Sequence, residues 1–60
     1  MKPKELIKRL EQEGWQVVRT EGSHHMMKHP ERTDLIVVPF HNTDLKTGIL
    51  NKILKQAGLK

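Results

Sequence analysis

The chain has 60 residues, and a domain of that length buries only about 60% of the surface that its unfolded chain exposes. It contains no cysteine, which excludes disulfides and thiolate zinc sites, and no apolar run approaches the roughly 20 residues of a membrane span. We therefore expect one domain, residues 1–60, acting in the cytoplasm. The formal net charge of +4 favours a polyanion or an acidic partner, although small domains also carry such a charge for solubility alone.

A helix is predicted at the start of the chain. Pro3 suits the first helical position, where a missing N–H costs nothing. The apolar residues that follow recur at a helical spacing: Leu6, Ile7 and Leu10. Gly14 is typical of the left-handed residue beyond a helix, and such a cap would bring Trp15 back onto Leu10. Trp15, the only tryptophan, is therefore predicted to be a core residue.

Three extended segments follow, each separated from the next by turn residues. Their boundaries are expected to be Trp15–Thr20, Ser23–His29 and Leu35–Val38. Glu21 and Gly22 form the first turn, the polar run 30–34 forms the second, and Pro39 ends the last strand. Short strands joined in this way predict an antiparallel meander.

A second helix is predicted after a loop at residues 40–43. Asp44 could cap its start, and Gly58 repeats the role of Gly14 by returning Leu59 to Leu54. Its apolar stripe comprises Ile49, Leu50, Ile53, Leu54 and Ala57.

The order helix, three strands, helix predicts a two-layer α+β fold. Both amphipathic helices can cover one face of a three-stranded antiparallel sheet, which leaves the other face open. Double-stranded-RNA-binding domains have this α-β-β-β-α arrangement.

The segment from Gly22 to Pro30 carries three of the four histidines. On a strand, its side chains divide between two faces: His24, Met26 and Lys28 on one, and His25, Met27 and His29 on the other. One methionine therefore fills the core and the other faces outward. A histidine and a lysine on one face of a basic protein suggest phosphate chemistry.

Several short motifs, in order along essentially the whole chain, resemble one known family. They are Glu5-Leu6-Ile7, Gly14-Trp15, Gly22-Ser23-His24-His25, Lys28-His29-Pro30, Val37-Val38-Pro39 and the run from Ile53 to Leu59 after Gly48. The chain is similar in these motifs to the HicA toxins of bacterial HicA-HicB toxin-antitoxin pairs, also called YcfA-like mRNA interferases.

That resemblance implies a double-stranded-RNA-binding-like fold, cleavage of mRNA without a bound cofactor or metal, and inhibition by a HicB-like antitoxin that covers the active site. It also implies that His24 is the catalytic histidine and Gly22 the glycine of its motif. The candidate RNA contacts are Gly22, Ser23, His25, Lys28, Lys46 and Lys52. The lysines of the second helix, Lys55 included, could equally form an ordinary solvated face.

The chemistry needs few groups, because RNA carries its own nucleophile in the 2′-hydroxyl. A histidine can move a proton at neutral pH, a step typically worth about 10²- to 10⁴-fold in rate. His24 is thus a candidate general base or acid, and Lys28 or a nearby lysine would balance the phosphate charge. The expected products are a 2′,3′-cyclic phosphate and a 5′-hydroxyl. His41 is a secondary candidate, as a second proton carrier or a phosphate contact.

The histidines also have a competing interpretation as a metal site, and two other function classes remain open. His25 and His29 form an H-x₃-H pair, but on a strand they would lie about 13 Å apart, too far for one zinc ion. His29 precedes a proline and is expected to shape the turn. The chain could also be a non-catalytic RNA-binding module, or a small interaction protein that does not bind RNA.

Overall fold

The computed structural model describes all 60 residues and confirms the predicted order of elements. The elements are α1 (Pro3–Gln12), β1 (Gln16–Glu21), β2 (His24–Lys28), β3 (Ile36–Pro39) and α2 (Thr47–Gln56). The strands form one antiparallel sheet in the order β1-β2-β3. The α+β fold predicted from the sequence is therefore confirmed.

One hydrophobic core lies between the sheet and the two helices. Its eight buried residues are Leu6, Leu10, Trp15, Met27, Ile36, Val38, Ile53 and Ala57. Trp15 is only 2% exposed, as expected for a core residue. Met27 is the buried methionine of the adjacent pair and Met26 is half-buried, so β2 has one face toward the helices and one away from them.

Both helices end in the way that their glycines predict. After α1, Gly14 has a φ of +99°, and the Trp15 N–H donates to the Leu10 carbonyl over 3.0 Å. After α2, the Leu59 N–H donates to the Leu54 carbonyl over 2.9 Å. These bonds satisfy carbonyls that a helix end leaves unpaired. At α1, the bond also places Trp15 in the core.

The start of α2 differs from the prediction. Asp44 does not cap the helix: Lys46 is at the N-cap position, and no side chain makes a capping hydrogen bond. The reason is that the loop continues through Leu45, which is half-buried against the core and donates its N–H to the Met1 carbonyl over 3.0 Å. The helix therefore begins only at Thr47, beyond the reach of a capping side chain at position 44.

The hairpin between β1 and β2 has a two-residue loop, Gly22-Ser23, because Glu21 pairs directly with His24. Gly22 has a φ of +55°, and no other residue of the loop has a positive φ. Such a loop fits a type II′ turn, which takes glycine at its first central position and matches the twist of the strands. The turn fixes where β2, and with it His24, begins.

A β-bulge interrupts the pairing of β1 with β2. Val17 pairs with Met27 and Arg19 pairs with Met26, so Val18 is an extra residue with no partner. A bulge of this kind reverses which residues of the strand face each side of the sheet.

Neither helix has the length or the apolar composition to cross a bilayer.

Candidate active site

His24 is the first residue of β2 and lies on the face of the sheet turned away from the helices. It is exposed, whereas Met27 on the opposite face is buried. We call the side on which His24 lies the open face. By strand pairing it carries Gln16, Arg19, Glu21, His24, Met26, Lys28, Val37 and Pro39. The cross-strand neighbours of His24 are Glu21 on β1 and Pro39 on β3. A single histidine is thus presented to solvent from the middle strand.

The turn that presents His24 is held from the opposite side by Phe40. The Phe40 N–H donates to the Ser23 carbonyl, so the end of β3 is bound to the turn. The Phe40 ring also packs on His25, with ring centroids 4.4 Å apart and planes at 35°. His25 is half-buried, and its buried Nδ1 has no hydrogen-bond partner. Phe40 therefore contacts the residues on both sides of His24, Ser23 through a hydrogen bond and His25 through its ring.

His41 lies at the same end of the sheet as His24. A cleft of about 250 Å³ is lined by Pro39, His41, Lys46 and four further residues, Thr43, Asp44, Leu45 and Ile49. Pro39 pairs with His24, so the wall of this cleft begins beside the exposed histidine. Among the predicted RNA contacts, Gly22, Ser23 and Lys46 belong to this end of the molecule.

Lys28 and Lys52 lie away from the end of the sheet that carries His24. Lys28 is four strand steps from His24, about 13 Å along β2. It lines a cleft of about 420 Å³ that also contains Arg32. Lys52, on α2, lines a third cleft of about 340 Å³ beside Leu35 and Val37. The structure therefore does not gather the predicted cations around His24.

Arg19 and Glu21 are two open-face residues that the sequence did not single out. Their side chains form an ion pair and are 68% and 49% exposed. Glu21 is directly opposite His24. Both positions follow from the register that the Gly22-Ser23 loop sets. The turn expected from the sequence, Glu21-Gly22, lies one residue earlier and does not place Glu21 opposite His24.

His29 has the turn-shaping role expected from its place before Pro30. Its Nδ1 accepts the Glu31 N–H over 3.0 Å, so its Nε2 carries the proton and donates to the Glu13 carbonyl, also over 3.0 Å. Its ring meets Trp15 edge-on with centroids 5.3 Å apart. Both nitrogens are therefore occupied in tying the end of α1 to the turn after β2. The His25–His29 pair spans an extended strand, and no cluster of three or more His, Cys, Asp or Glu side chains is arranged to hold a metal ion.

Comparison with known proteins identifies a family and a similar solved structure. A family model described as "HicA toxin of bacterial toxin-antitoxin" matches residues 3–59. A chain of the solved "HicA3 and HicB3 toxin-antitoxin complex" is 38% identical, with a TM-score of 0.81 over 100% of this chain and 97% of that one. No curated protein matches the chain.

Proposed function

The chain belongs to the HicA toxin family, and from that premise we propose that it is a metal-independent endoribonuclease that cleaves mRNA and is inhibited by a HicB-like antitoxin. The observation that carries the proposal is the position of His24. An exposed imidazole follows a two-residue turn, on the face of the sheet that no helix covers, in a chain of net charge +4. It is also the first histidine of the Gly-Ser-His-His motif by which the chain resembles the family.

The proposed reaction is an intramolecular transesterification. The ribose 2′-oxygen attacks phosphorus, the P–O bond to the 5′-oxygen breaks, and a 2′,3′-cyclic phosphate and a 5′-hydroxyl result. One proton must leave the 2′-hydroxyl and one must reach the 5′-oxygen, and an imidazole suits either transfer. His24 carries out one of these steps.

His41 is the candidate for the other proton transfer. It lies in the cleft whose wall includes Pro39, the cross-strand partner of His24. The bond from Phe40 to Ser23 holds the residue before His41 against the turn before His24. Two imidazoles at one end of a sheet can divide the roles of base and acid, as this reaction requires.

The proposed partners are single-stranded mRNA and the antitoxin, which places the site of action in the cytoplasm. The relative with the 38% identity was solved as a complex of HicA3 with HicB3. The open face of this chain has exposed apolar side chains beside its charged ones, Val37 on β3 among them. Apolar surface of this kind is suited to burial by a protein partner, which would cover His24 at the same time.

The test is cleavage of a defined transcript by the purified protein, free of antitoxin, and by His24→Ala. Because His24 is exposed, we expect the variant to remain folded, within about 0.5 kcal/mol of the parent. It should nevertheless lose cleavage and growth arrest. Lys8→Ala, an exposed change on α1, is the control and should cleave normally.

Chemical detail separates this function from its alternatives. The transcript should be cut with excess chelator present, should yield cyclic phosphate ends, and should resist cleavage when it is 2′-O-methylated. Equal cleavage of DNA would exclude the mechanism. An RNA-binding module without catalysis would bind the transcript, leave it intact and be unaffected by His24→Ala.

A further inference from the structure

The hairpin turn determines which residues of β1 share a face with His24. The Gly22-Ser23 loop pairs Glu21 with His24, and Arg19, two residues before Glu21, pairs with Met26 on the same face. Val17 would also lie on this face if β1 were regular, but the extra residue Val18 turns it to the side of buried Met27. Bulges commonly re-aim side chains beside active sites.

Arg19 is the strand cation nearest to His24 on the open face. It pairs with Met26, two residues along β2 from His24, and such diagonal neighbours have Cα atoms about 7–8 Å apart. Lys28 is about 13 Å from His24 along the same strand. Arginine is also long enough to bring its guanidinium to a group that His24 touches.

Stability does not explain the ion pair between Arg19 and Glu21. Both side chains are largely exposed, and exposed pairs typically contribute about 0–1 kcal/mol. The pair does place the guanidinium near the hairpin end, because it joins Arg19 to Glu21, the residue opposite His24. The remaining N–H groups of the guanidinium can form two parallel hydrogen bonds with a further anion such as a phosphate.

We infer that Arg19 is a catalytic residue that binds the non-bridging oxygens of the scissile phosphate, and that Glu21 is a positioning residue that holds its guanidinium beside His24. This inference rests on the proposed ribonuclease function. Arg19 makes and breaks no covalent bond. It stabilises the negative charge that accumulates on the phosphoryl oxygens while the 2′-oxygen bonds to phosphorus and the 5′-oxygen departs with a proton.

The experiment compares Arg19→Ala and Arg19→Lys with Arg9→Ala, which removes the same charge from an exposed position on α1, the helix on the other side of the sheet. Single-turnover rates are measured on a short RNA with one cleavage site. We expect Arg19→Ala to lower the rate about 10²- to 10³-fold, the range found when one such donor is removed. Arg19→Lys should recover little of it, because an ammonium cannot form the two parallel hydrogen bonds of a guanidinium. Arg9→Ala should cleave at the parental rate.

Glu21→Gln separates positioning from charge. It makes the surface more positive, so RNA should bind at least as tightly, yet the cleavage rate should fall because Arg19 is no longer held. RNA affinity is measured with each change placed in the His24→Ala protein, which does not cut. A fall in rate with unchanged or tighter binding is not expected of a pair that serves only the fold.

Two results would overturn the inference while leaving the proposed function intact. In the first, the parent protein is active and His24→Ala is inactive, but Arg19→Lys cleaves RNA at the parental rate. The other is Glu21→Gln losing rate only in proportion to a loss of thermal stability. A parent protein that leaves RNA whole would instead contradict the ribonuclease function itself.

Discussion

At the scale of single residues, the histidines have different structural roles. His29 uses both ring nitrogens in hydrogen bonds within the chain, whereas His24 and His41 are exposed. The sequence could indicate these roles only through the strand alternation and the proline after His29. The bond to Glu13, on another element, depends on tertiary structure that no local pattern specifies.

A pair of substitutions tests this division. His29→Ala should lower the free energy of unfolding by about 1–3 kcal/mol, because it removes two hydrogen bonds, each typically worth about 0.5–1.5 kcal/mol, between this residue and the backbone of Glu13 and Glu31. The folded fraction should still cleave RNA. His41→Ala should leave stability within about 0.5 kcal/mol and lower the cleavage rate. Denaturant titrations and cleavage assays on both variants measure this, and a reversed pattern would contradict the assignment of both residues.

At the scale of elements, helix ends were more predictable than helix starts. Gly14 and Gly58 specify left-handed caps, which only a few residue types adopt readily, so both ends followed from the sequence. The start of α2 was wrongly assigned to Asp44, because the bond between Leu45 and Met1 joins segments far apart in sequence. The bulge was not predicted for a related reason: an unpaired valine has the same local preferences as a paired one.

Each helix has a lysine at its N-cap position, and neither lysine makes a capping hydrogen bond with its side chain. The two positions therefore allow a matched experiment. Lys2 precedes α1 and Lys46 precedes α2, each with an extended backbone suited to a cap. Changing either to Asp should stabilise the protein by about 1 kcal/mol. Only Lys46→Asp, in the cleft with His41, should weaken RNA binding. Thermal unfolding and binding by the His24→Ala background measure the two effects, and an equal loss of binding from Lys2→Asp would argue against a specific role for Lys46.

At the scale of the whole molecule, the helices leave one side of the sheet uncovered, and the charged residues surround it rather than meeting at one point. Lys28, Lys46 and Lys52 belong to three separate clefts. We interpret this as a path for several consecutive phosphates of a strand, with the chemistry confined to the end where His24 lies. The fold could be predicted from the sequence because two helices and three strands have few ways to pack. The positions of the three clefts relative to one another could not be predicted from the sequence.

Salt dependence tests that interpretation. RNA affinity of the His24→Ala protein should fall with salt, with a slope of about −0.7 in log–log form for each phosphate neutralised. Lys28→Ala and Lys52→Ala should each reduce the slope by about one such increment. Lys8→Ala, on the far side of the sheet, should leave it unchanged. If all three lysine variants gave the same slope, the RNA would not follow the clefts that contain Lys28 and Lys52.

The unpaired valine in β1 makes the position of a deletion as important as its length. Loss of Val18 would leave a regular ladder in which Val17 still pairs with Met27 and Arg19 with Met26, so no side chain changes sides. Loss of Thr20 would instead let Val18 pair with Met26 and would turn Arg19 to the buried side, opposite His25. Homologues that differ in length are therefore expected to keep the spacing between Arg19 and Gly22 and to vary at Val18 or after Pro30.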